Sequence, residues 1–252
     1  MAQQLVYGLH AVQALLKSSP QQVQELLLLR GRRDQKLQKI IRQAEQNEIV
    51  IRFVDRRALD EKVADEGNHQ GAVAICVGDT KIYDEQFLKS LLKDLDTNGE
   101  APFLLILDGV TDPHNLGACL RSADAAGVHA VIAPKDKAAG LTPTARKVAC
   151  GAAEVLPFIT VTNLARTLQM LQQAGVWIYG AAGEAEQDVY QSSLTGPLAL
   201  VMGAEGPGLR RLTRENCDHL IKIPMAGEVS SLNVSVATGV CLFEAVRQRR
   251  NG

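Results

Sequence analysis

The strongest constraint on the fold is a series of short, unbroken apolar runs between residues 101 and 252. These runs are PFLLILDGV, HAVIAP, VLPFITV, VWIYGAA, LALVMG and HLIKIPM. A strand with one face in water alternates apolar and polar residues, so unbroken runs predict strands covered on both faces. Helical patterns such as LGACLRSADAAG and NLARTLQMLQQAG lie between many of them. The alternation predicts a mostly parallel α/β sheet, whose ligands bind beyond the carboxyl ends of the strands.

The first 77 residues carry a second and smaller pattern of helices and strands. VQELLLL, VIRFVD and GAVAICV predict strands, and GLHAVQALLKS and DQKLQKIIRQAEQNE predict helices. The residues that share the apolar face of the second helix are Leu37, Ile40, Ile41 and Ala44. Residues 78–100 are acidic, contain the short helical pattern DEQFLKSLLKDL and close on the turn signal TNGE. We therefore predict a domain over 1–77, a linker over 78–100 and a larger α/β domain over 101–252.

Composition excludes several classes of protein. The formal net charge of −1 over 252 residues argues against a broadly basic, non-specific nucleic-acid binder, although local basic patches remain compatible with it. No apolar run approaches the ~18 residues that cross a bilayer, and the first residues lack a signal-peptide pattern. The five cysteines are scattered without CxxC spacing. They predict reduced core thiols in a cytoplasmic protein with no metal site, and the lack of a long apolar run predicts no membrane partner.

The loop TDPHNLGACLRS follows the first strand of the larger domain and combines an amide with an arginine. Asn115 stands where a helix N-cap is expected, which gives it a purely structural interpretation. Arg121 lies beside Gly117 and Ala118 and off the apolar stripe of the helix. It fits either a weak surface pair with Asp124 or a bidentate grip on phosphate.

Two further loops after predicted strands are rich in glycine and serine. In LVMGAEGPGLRRL the glycine spacing is GxxGxG, which does not match the dinucleotide-binding GxGxxG pattern. Glu205 in this loop is either an exposed turn residue or an acid placed near a sulfonium or a nucleotide amino group. In IPMAGEVSSLNVSVATGV we expect a helix that opens near Ser231 and is capped by Ser230 or Ser231. Its expected buried face consists of Val236, Ala237, Val240, Cys241 and Ala245.

Taken together, the three loops resemble the three motifs of the SpoU (TrmH-type) class of SPOUT RNA methyltransferases. The matching runs are DPHNLGACLRSADAAG, LVMGAEGPGLRR and IPMAGEVSSLNVSVATGV, in that order. YGLHAVQALL and NHQGAVA near the N-terminus also resemble the substrate-binding domain of the members that methylate guanosine 2′-O in 23S ribosomal RNA. The resemblance implies a parallel-sheet catalytic domain with a C-terminal trefoil knot, preceded by a small α/β, ribosomal-protein-like RNA-binding domain.

The same resemblance implies a cofactor, partners and roles for individual residues. The cofactor would be S-adenosylmethionine, the substrate the peptidyl-transferase loop of 23S ribosomal RNA, and the assembly a homodimer with its active site near the subunit interface. The residues implied in catalysis are Asn115, Arg121, Glu205, Ser231 and Asn233. The residues implied in cofactor binding are Ala182, Gly183, Met202, Gly203, Gly208, Ile223, Met225 and Leu232.

The smaller domain supplies candidates for RNA contact, and two other functions remain open. The candidates are Arg30, Arg32, Arg33, His69 and Gln70, although LRGRRD also fits a solvated turn. A transfer-RNA ribose methyltransferase is one alternative function, and a non-catalytic RNA-binding protein is another. A nicotinamide-dependent dehydrogenase is disfavoured because no GxGxxG follows a strand.

Overall fold

The computed structural model describes residues 4–32, 34–63, 68–76 and 83–251, which form two compact units. Unit 1 comprises residues 1–81 together with 141–155, and unit 2 comprises 82–140 and 156–252. The predicted domain boundaries stay a prediction. Residues 83–100 of the predicted linker lie in unit 2, where helix α4 (Glu85–Thr97) buries Leu88 and Leu92 in the core.

Unit 1 is a four-stranded sheet with helices on it. Its elements are β1 (Gln4–Tyr7), α1 (Leu9–Ser18), β2 (Val23–Leu29), α2 (Gln35–Gln46), β3 (Val50–Val54), α3 (Arg56–Val63), β4 (Ala72–Cys76), α6 (Pro143–Ala149) and α7 (Ala152–Val155). The strand order is β1-β4-β2-β3, with only β2 and β3 parallel. Leu37, Ile40 and Ala44 of α2 are fully buried, as their spacing predicts.

The segment 141–155 packs tightly within unit 1. Gly151, at φ +97°, lies so near α1 that an added Cβ would stand 2.9 Å from both the Ala14 Cβ and the His10 carbonyl oxygen. Glycine is therefore required there for close approach as well as for its backbone angle. Arg146 of α6 donates to Glu154 of α7 over 2.7 Å, which ties the two short helices together.

Unit 2 is a seven-stranded sheet between layers of helices. Besides α4, its elements are β5 (Phe103–Asp108), α5 (Pro113–Ala125), β6 (Ala130–Pro134), β7 (Phe158–Val161), α8 (Leu164–Gln173), β8 (Trp177–Ala181), β9 (Gln187–Asp188), β10 (Leu198–Gly203), α9 (Arg211–Glu215), β11 (His219–Lys222) and α10 (Val234–Asn251). The order is β7-β6-β5-β10-β8-β11-β9, and every pairing is parallel. The predicted parallel α/β sheet is confirmed, whereas the trefoil knot stays a prediction.

Strand order marks where a ligand would bind. β6 and β7 lie on one side of β5, while β10 and β8 lie on the other, so the winding changes direction beside β5. In sheets of this kind, ligands occupy the crevice at the carboxyl ends of the strands next to the reversal. Asp108 ends β5 and Gly203 ends β10, side by side in register. The loops that follow these two residues are therefore the first place to look for chemistry.

Within the described residues, no helix is long and apolar enough to cross a membrane. The same residues contain no cluster of three or more histidine, cysteine, aspartate or glutamate side chains that could hold a metal ion.

Candidate active site

Three side chains from three distant loops meet in one hydrogen-bonded network in unit 2. The Asn115 Nδ2 donates to Glu205 Oε1 over 2.9 Å, and the Asn233 Nδ2 donates to the same oxygen over 2.8 Å. The Asn233 Nδ2 also donates to Asn115 Oδ1 over 3.0 Å. Each of the three motif loops thus contributes one member. We refer to Asn115, Glu205 and Asn233 as the amide–carboxylate network.

Asn115 does not cap helix α5. The cap is Asp112, whose side chain accepts from the His114 backbone N–H over 2.9 Å, and Pro113 occupies the first turn. Asn115 lies inside that turn, buried to 7% exposure, with its amide turned to Glu205. The structural interpretation of Asn115 as a cap is therefore wrong, because the Asp112 side chain accepts from a free N–H of the first turn instead.

The start of helix α10 also differs from expectation. The helix begins at Val234, and Asn233 performs the capping: its Oδ1 accepts from the Ser235 N–H over 2.9 Å and from the Ser235 hydroxyl over 2.6 Å. Ser230 and Ser231 are exposed and precede the helix, so neither is its cap. Val236, predicted to be buried, is 53% exposed, because the helix buries Val234, Thr238 and Leu242 instead. Asn233 thus uses its oxygen on the helix and its nitrogen on the network.

The loop that carries Glu205 is a narrow hairpin. Ala204 and Gly208 exchange two backbone hydrogen bonds of 3.1 and 3.0 Å, which leaves Glu205, Gly206 and Pro207 at the tip. An added Cβ on Gly203 would lie 2.2 Å from the Gly208 carbonyl carbon, so only glycine fits there. The hairpin folds back on its own strand and holds Glu205 in reach of both asparagines.

A fully buried carboxylate fastens the far end of this hairpin. Asp108, at 0% exposure, accepts from the Arg210 backbone N–H over 2.8 Å and from the Arg210 guanidinium Nε over 2.5 Å. A buried carboxylate is stable only when it is paired and hydrogen-bonded, and Arg210 provides both. The carboxyl end of β5 is thereby tied to the residue that precedes α9.

A cavity of about 790 Å³ opens beside the network. All eight residues predicted for cofactor binding line it, together with Glu205, Ser231 and Asn233 of the predicted catalytic set. Met202, Ile223, Met225 and Leu232 supply carbon-rich walls, while the network side chains supply polar groups at one end. Pockets that hold ligands of nucleoside size are of about 300–1,000 Å³ and have this mixed lining.

Comparison with known proteins gives the family. Residues 102–243 match the model of the SpoU rRNA methylase family, and residues 5–80 match the model described as RNA 2′-O ribose methyltransferase substrate binding. This chain belongs to the SpoU rRNA methylase family. It is 62% identical to the 23S rRNA (guanosine-2′-O-)-methyltransferase RlmB of Escherichia coli K12, over 98% of this chain and 99% of that protein. It is 60% identical to RlmB of Pseudomonas putida, over 97% and 96%.

Solved structures of the SpoU family have the same fold. The methyltransferase AviRb from Streptomyces viridochromogenes, in complex with the cofactor AdoMet, superposes with a TM-score of 0.77 at 25% identity, covering 99% of this chain and 92% of that one. The TrmH/SpoU tRNA-modifying enzyme of A. aeolicus superposes with a TM-score of 0.55 at 31% identity, covering 66% and 85%.

Arg121 lies on α5 of this SpoU-family protein and is exposed. It lies six positions after Asn115, so ideal helix geometry directs the two side chains about 120° apart around α5 and about 9 Å apart along its axis. That Asn115 orients Arg121 or the ribose stays a prediction. The role of Arg121 stays a prediction.

The described residues predicted for RNA contact lie in two parts of unit 1: the turn after β2, with Arg30 and Arg32, and the loop before β4, with His69 and Gln70. Arg30 donates to the Phe53 carbonyl over 3.2 Å, and Arg32 donates to the Gln70 carbonyl over 2.5 Å. His69 is buried and uses both ring nitrogens, whereas Gln70 is exposed. Arg33 lies outside the described residues. Contact of these residues with RNA stays a prediction.

Sequence reasoning missed four charged groups near the cavity. Arg214 and Glu184 line the cavity and form an ion pair with each other. Lys222, at the end of β11, also lines the cavity. Asp108 was missed because it reads as the last residue of an apolar strand. A buried acid at a strand end, followed by glycine, was the available signal in LLILDG.

The cysteines near the site are core residues. Burial raises the pKa of the Cys119 thiol to about 11 and that of the Cys241 thiol to about 12. Cys119 lies between α5 and α10, where its sulfur donates to the Thr238 hydroxyl over 3.5 Å. These thiols stay protonated near neutral pH and are not nucleophiles.

Proposed function

We propose that this protein transfers a methyl group from S-adenosylmethionine to the ribose 2′-oxygen of a guanosine in 23S ribosomal RNA. The observation that carries the proposal is the amide–carboxylate network at the mouth of the 790 Å³ cavity. Identity of 60–62% over nearly the whole chain to RlmB proteins supports the guanosine and the 23S RNA.

The cavity suits S-adenosylmethionine by size and lining. Met202, Ile223, Met225 and Leu232 would contact the adenine and ribose carbons, and the tight backbone at Gly203 and Gly208 leaves room for them. When bound, this cofactor supplies an electrophilic methyl group on a sulfonium. Glu205 at the cavity wall places negative charge close to that cation, which favours its binding.

Transfer requires a new oxygen–carbon bond in line with the breaking carbon–sulfur bond. The 2′-hydroxyl gives up its proton, and the cofactor leaves as the neutral thioether. The chain's contribution is alignment, because a hydroxyl held 3–3.5 Å from the methyl reacts far faster than one free in solution. Asn115 is the network member we assign to the ribose: it is fixed by Glu205 and Asn233 and keeps one amide hydrogen for substrate.

We assign Arg121 to the phosphate next to the reacting ribose. A guanidinium does not release its proton in proteins, so Arg121 serves as a clamp, with phosphate or water taking the proton. A homodimer would bring an Arg121 to the site from either copy. Replacing Arg121 by lysine should lower kcat about 100-fold if the planar fork is required. Near-native turnover of Arg121→Lys across the pH–rate profile would remove the clamp from the mechanism.

The decisive experiment is Asn115→Ala, assayed on a 23S ribosomal RNA transcript and on a transfer-RNA transcript. We expect the wild type to methylate only the ribosomal RNA. The variant should lose about 100-fold in kcat while the Kd for S-adenosylmethionine, measured calorimetrically, changes less than about threefold. Equal loss of turnover and cofactor affinity would show that Asn115 merely holds the loops. Asn98→Ala, at an exposed position after α4, is the matched control.

A homodimer in the cytoplasm completes the proposal. Helix α10 presents Val236 and Phe243 one below the other at 53% and 49% exposure. Apolar residues that repeat every seven positions on an outer helix face suit a symmetric, self-complementary contact. Sedimentation velocity should give a dimer for the wild type and a shift toward monomer for Phe243→Glu. An unchanged dimer would place the contact elsewhere.

A further inference from the structure

Unit 1 contains a cavity of its own that the proposed chemistry does not use. It has a volume of about 260 Å³. Its walls come from the junction of β1 and α1, from the loop at Asn68 and Gln70, and from the segment 141–155. The last segment lies outside residues 5–80, which match the substrate-binding model. The volume is below the usual 300–1,000 Å³ of pockets for drug-sized molecules, so one flat ring system fits better than a whole cofactor.

The loop that forms one wall, residues 68–71, is held rigidly from beneath. His69 Nδ1 accepts from the Gly71 N–H over 2.9 Å, which leaves its Nε2 to donate to Asp60 Oδ1 over 2.9 Å. Arg32 donates to the Gln70 carbonyl over 2.5 Å. Gln70 itself adopts φ +47°, a conformation that non-glycine residues rarely take and that clusters at binding sites.

Two side-chain amides of this loop have donors to spare. Gln70 Oε1 accepts from the Leu9 N–H over 3.4 Å, and Asn68 Oδ1 accepts from the Gln70 N–H over 3.2 Å. For the amide nitrogens of these two residues, no partner is found in the part of the chain that the structure describes. Their oxygens are thus oriented by the backbone while their N–H groups remain available at the cavity. An amide fixed in this way can read the acceptor edge of a nucleobase.

Positive charge lies at the rim. Arg146 is neutralised by Glu154, with which it forms a 2.7 Å ion pair. Lys147 is exposed, and no acidic partner for it is found among the described residues. Lys36 Nζ lies 3.4 Å from a ring nitrogen of His10, which lines the cavity. A phosphate that follows a bound base would meet Lys147.

We propose that this cavity receives one unstacked base of the RNA substrate. The Asn68 and Gln70 amides contact its edge, and Lys147 contacts an adjacent phosphate. The inference rests on the proposed function, since it concerns how the same RNA is recognised. RNA proteins read sequence chiefly on single-stranded, splayed-out bases, and a small, rigid, amide-lined cavity beside a lysine fits that mode. It also assigns part of RNA recognition to residues 141–155.

Gln70→Glu tests contact with the base. The substitution keeps the oxygen that accepts from Leu9 and replaces the donor N–H₂ by a second oxygen. We expect the Kd for a 23S ribosomal RNA transcript, measured by filter binding with the full-length protein, to rise at least tenfold. The control Gln38→Glu makes the same charge change at an exposed position of α2 and should shift it less than twofold. Equal shifts for the two variants would overturn contact of Gln70 with a base.

Lys147→Gln tests the phosphate contact. It should reduce the slope of log Kd against log salt by about 1, whereas Lys62→Gln, at an exposed position of α3, should leave the slope unchanged. An unchanged slope for Lys147→Gln would overturn the assignment of phosphate to this rim. Ultraviolet cross-linking followed by mass spectrometry should place a nucleotide adduct within residues 5–11, 68–70 or 141–150. Adducts confined to other peptides would overturn the base site as a whole.

Cofactor binding separates this inference from the proposed function. All four variants should keep the wild-type Kd for S-adenosylmethionine, and wild-type hydrogen exchange in unit 1 shows that this unit is folded in each of them. If the wild type binds 23S RNA and Gln70→Glu does not weaken it, the cavity proposal fails alone. If the wild type transfers no methyl group to 23S RNA, the proposed function fails whatever the binding of Gln70→Glu.

Discussion

Two loops of this protein each present a polar side chain to a cavity, and each is held by a buried side chain of a different kind. In unit 2, the Glu205 hairpin is tied at Arg210 by the carboxylate of Asp108, which is fully buried. In unit 1, the Gln70 loop is tied by the His69 ring through hydrogen bonds at both nitrogens. A charged anchor holds more strongly but costs more when it is broken. We therefore expect the two loops to differ in how much damage they tolerate.

Replacing one glycine by alanine in each loop should give the largest difference between the two loops. Gly203→Ala would put a Cβ 2.2 Å from backbone, which cannot move without opening the hairpin. We expect at least ~3 kcal/mol of lost cofactor binding, or about 100-fold in Kd for S-adenosylmethionine. Gly71→Ala would meet only the Arg32 and Leu29 side chains at 3.2 Å, with a φ of +79°. It should cost about 1 kcal/mol of unfolding free energy and leave that Kd unchanged. Similar Kd values for both variants would contradict the difference.

Asp108→Ala should give the next largest effect. It leaves the Arg210 backbone N–H without its acceptor. The Arg210 guanidinium still reaches water, since its side chain is 45% exposed. We expect a loss of about 3 kcal/mol in the unfolding free energy of unit 2. The only tryptophan in the chain, Trp177, lies in β8 and reports on this unit by fluorescence. Asp96→Ala, at an exposed acid on α4, should change stability by less than about 0.5 kcal/mol.

His69→Ala is the counterpart in unit 1 and should be milder. It removes a hydrogen bond to the Gly71 N–H and one to the Asp60 carboxylate, whose half-exposed position screens the charge, and together these contribute about 1–2 kcal/mol. Hydrogen exchange followed by mass spectrometry should rise about tenfold in residues 68–76. The Trp177 unfolding transition should stay where it is in the wild type. A shift of the Trp177 transition as large as the one in Asp108→Ala would contradict the expectation that His69 stabilises unit 1 alone.

The smallest expected effect concerns Cys217. Burial first, then Asp218 and Asp108, raise the pKa of its thiol to about 12, and its sulfur donates to the Thr213 carbonyl over 3.3 Å. Asp108→Ala removes one of the charges that oppose the thiolate and loosens α9. Alkylation by iodoacetamide at pH 8.5 should therefore quicken a few-fold at Cys217. Cys241, whose pKa burial alone raises to about 12, should react at its wild-type rate. Equal acceleration at both would indicate general unfolding.

The sequence predicted the sheet of unit 2 well, because most of its strands are unbroken apolar runs that are buried on both faces. Runs such as LALVMG and HAVIAP cover β10 and β6 almost residue for residue. β9 was missed because it is two polar residues, Gln187 and Asp188, paired only by backbone. Short edge strands of this kind carry no hydrophobic signal.

The site was predicted less completely, and Asn115 shows why. Its position near a helix start suggested a cap, although the Asp-Pro pair just before it is the stronger signal for one. Its bond to Glu205 joins residues 90 positions apart, and spacing along the chain carries no information about that. The close packing of 141–155 against α1, which depends on Gly151, is invisible in sequence for the same reason.

The position of β10 in the centre of its sheet sets an order of events during synthesis. β10 pairs with β5, about 95 residues earlier in the chain, from Leu198 beside Phe103 onward. A ribosome adds roughly 5–20 residues per second, so β5 leaves it about 5–19 s before its central neighbour exists. During that interval Asp108 has no Arg210, and the apolar faces of β5 and β6 have no completed sheet to join. Slow translation before residue 198 would lengthen the time for which these apolar faces are exposed. Once β10 and Arg210 have left the ribosome, the centre of the sheet and the Asp108–Arg210 pair can form together.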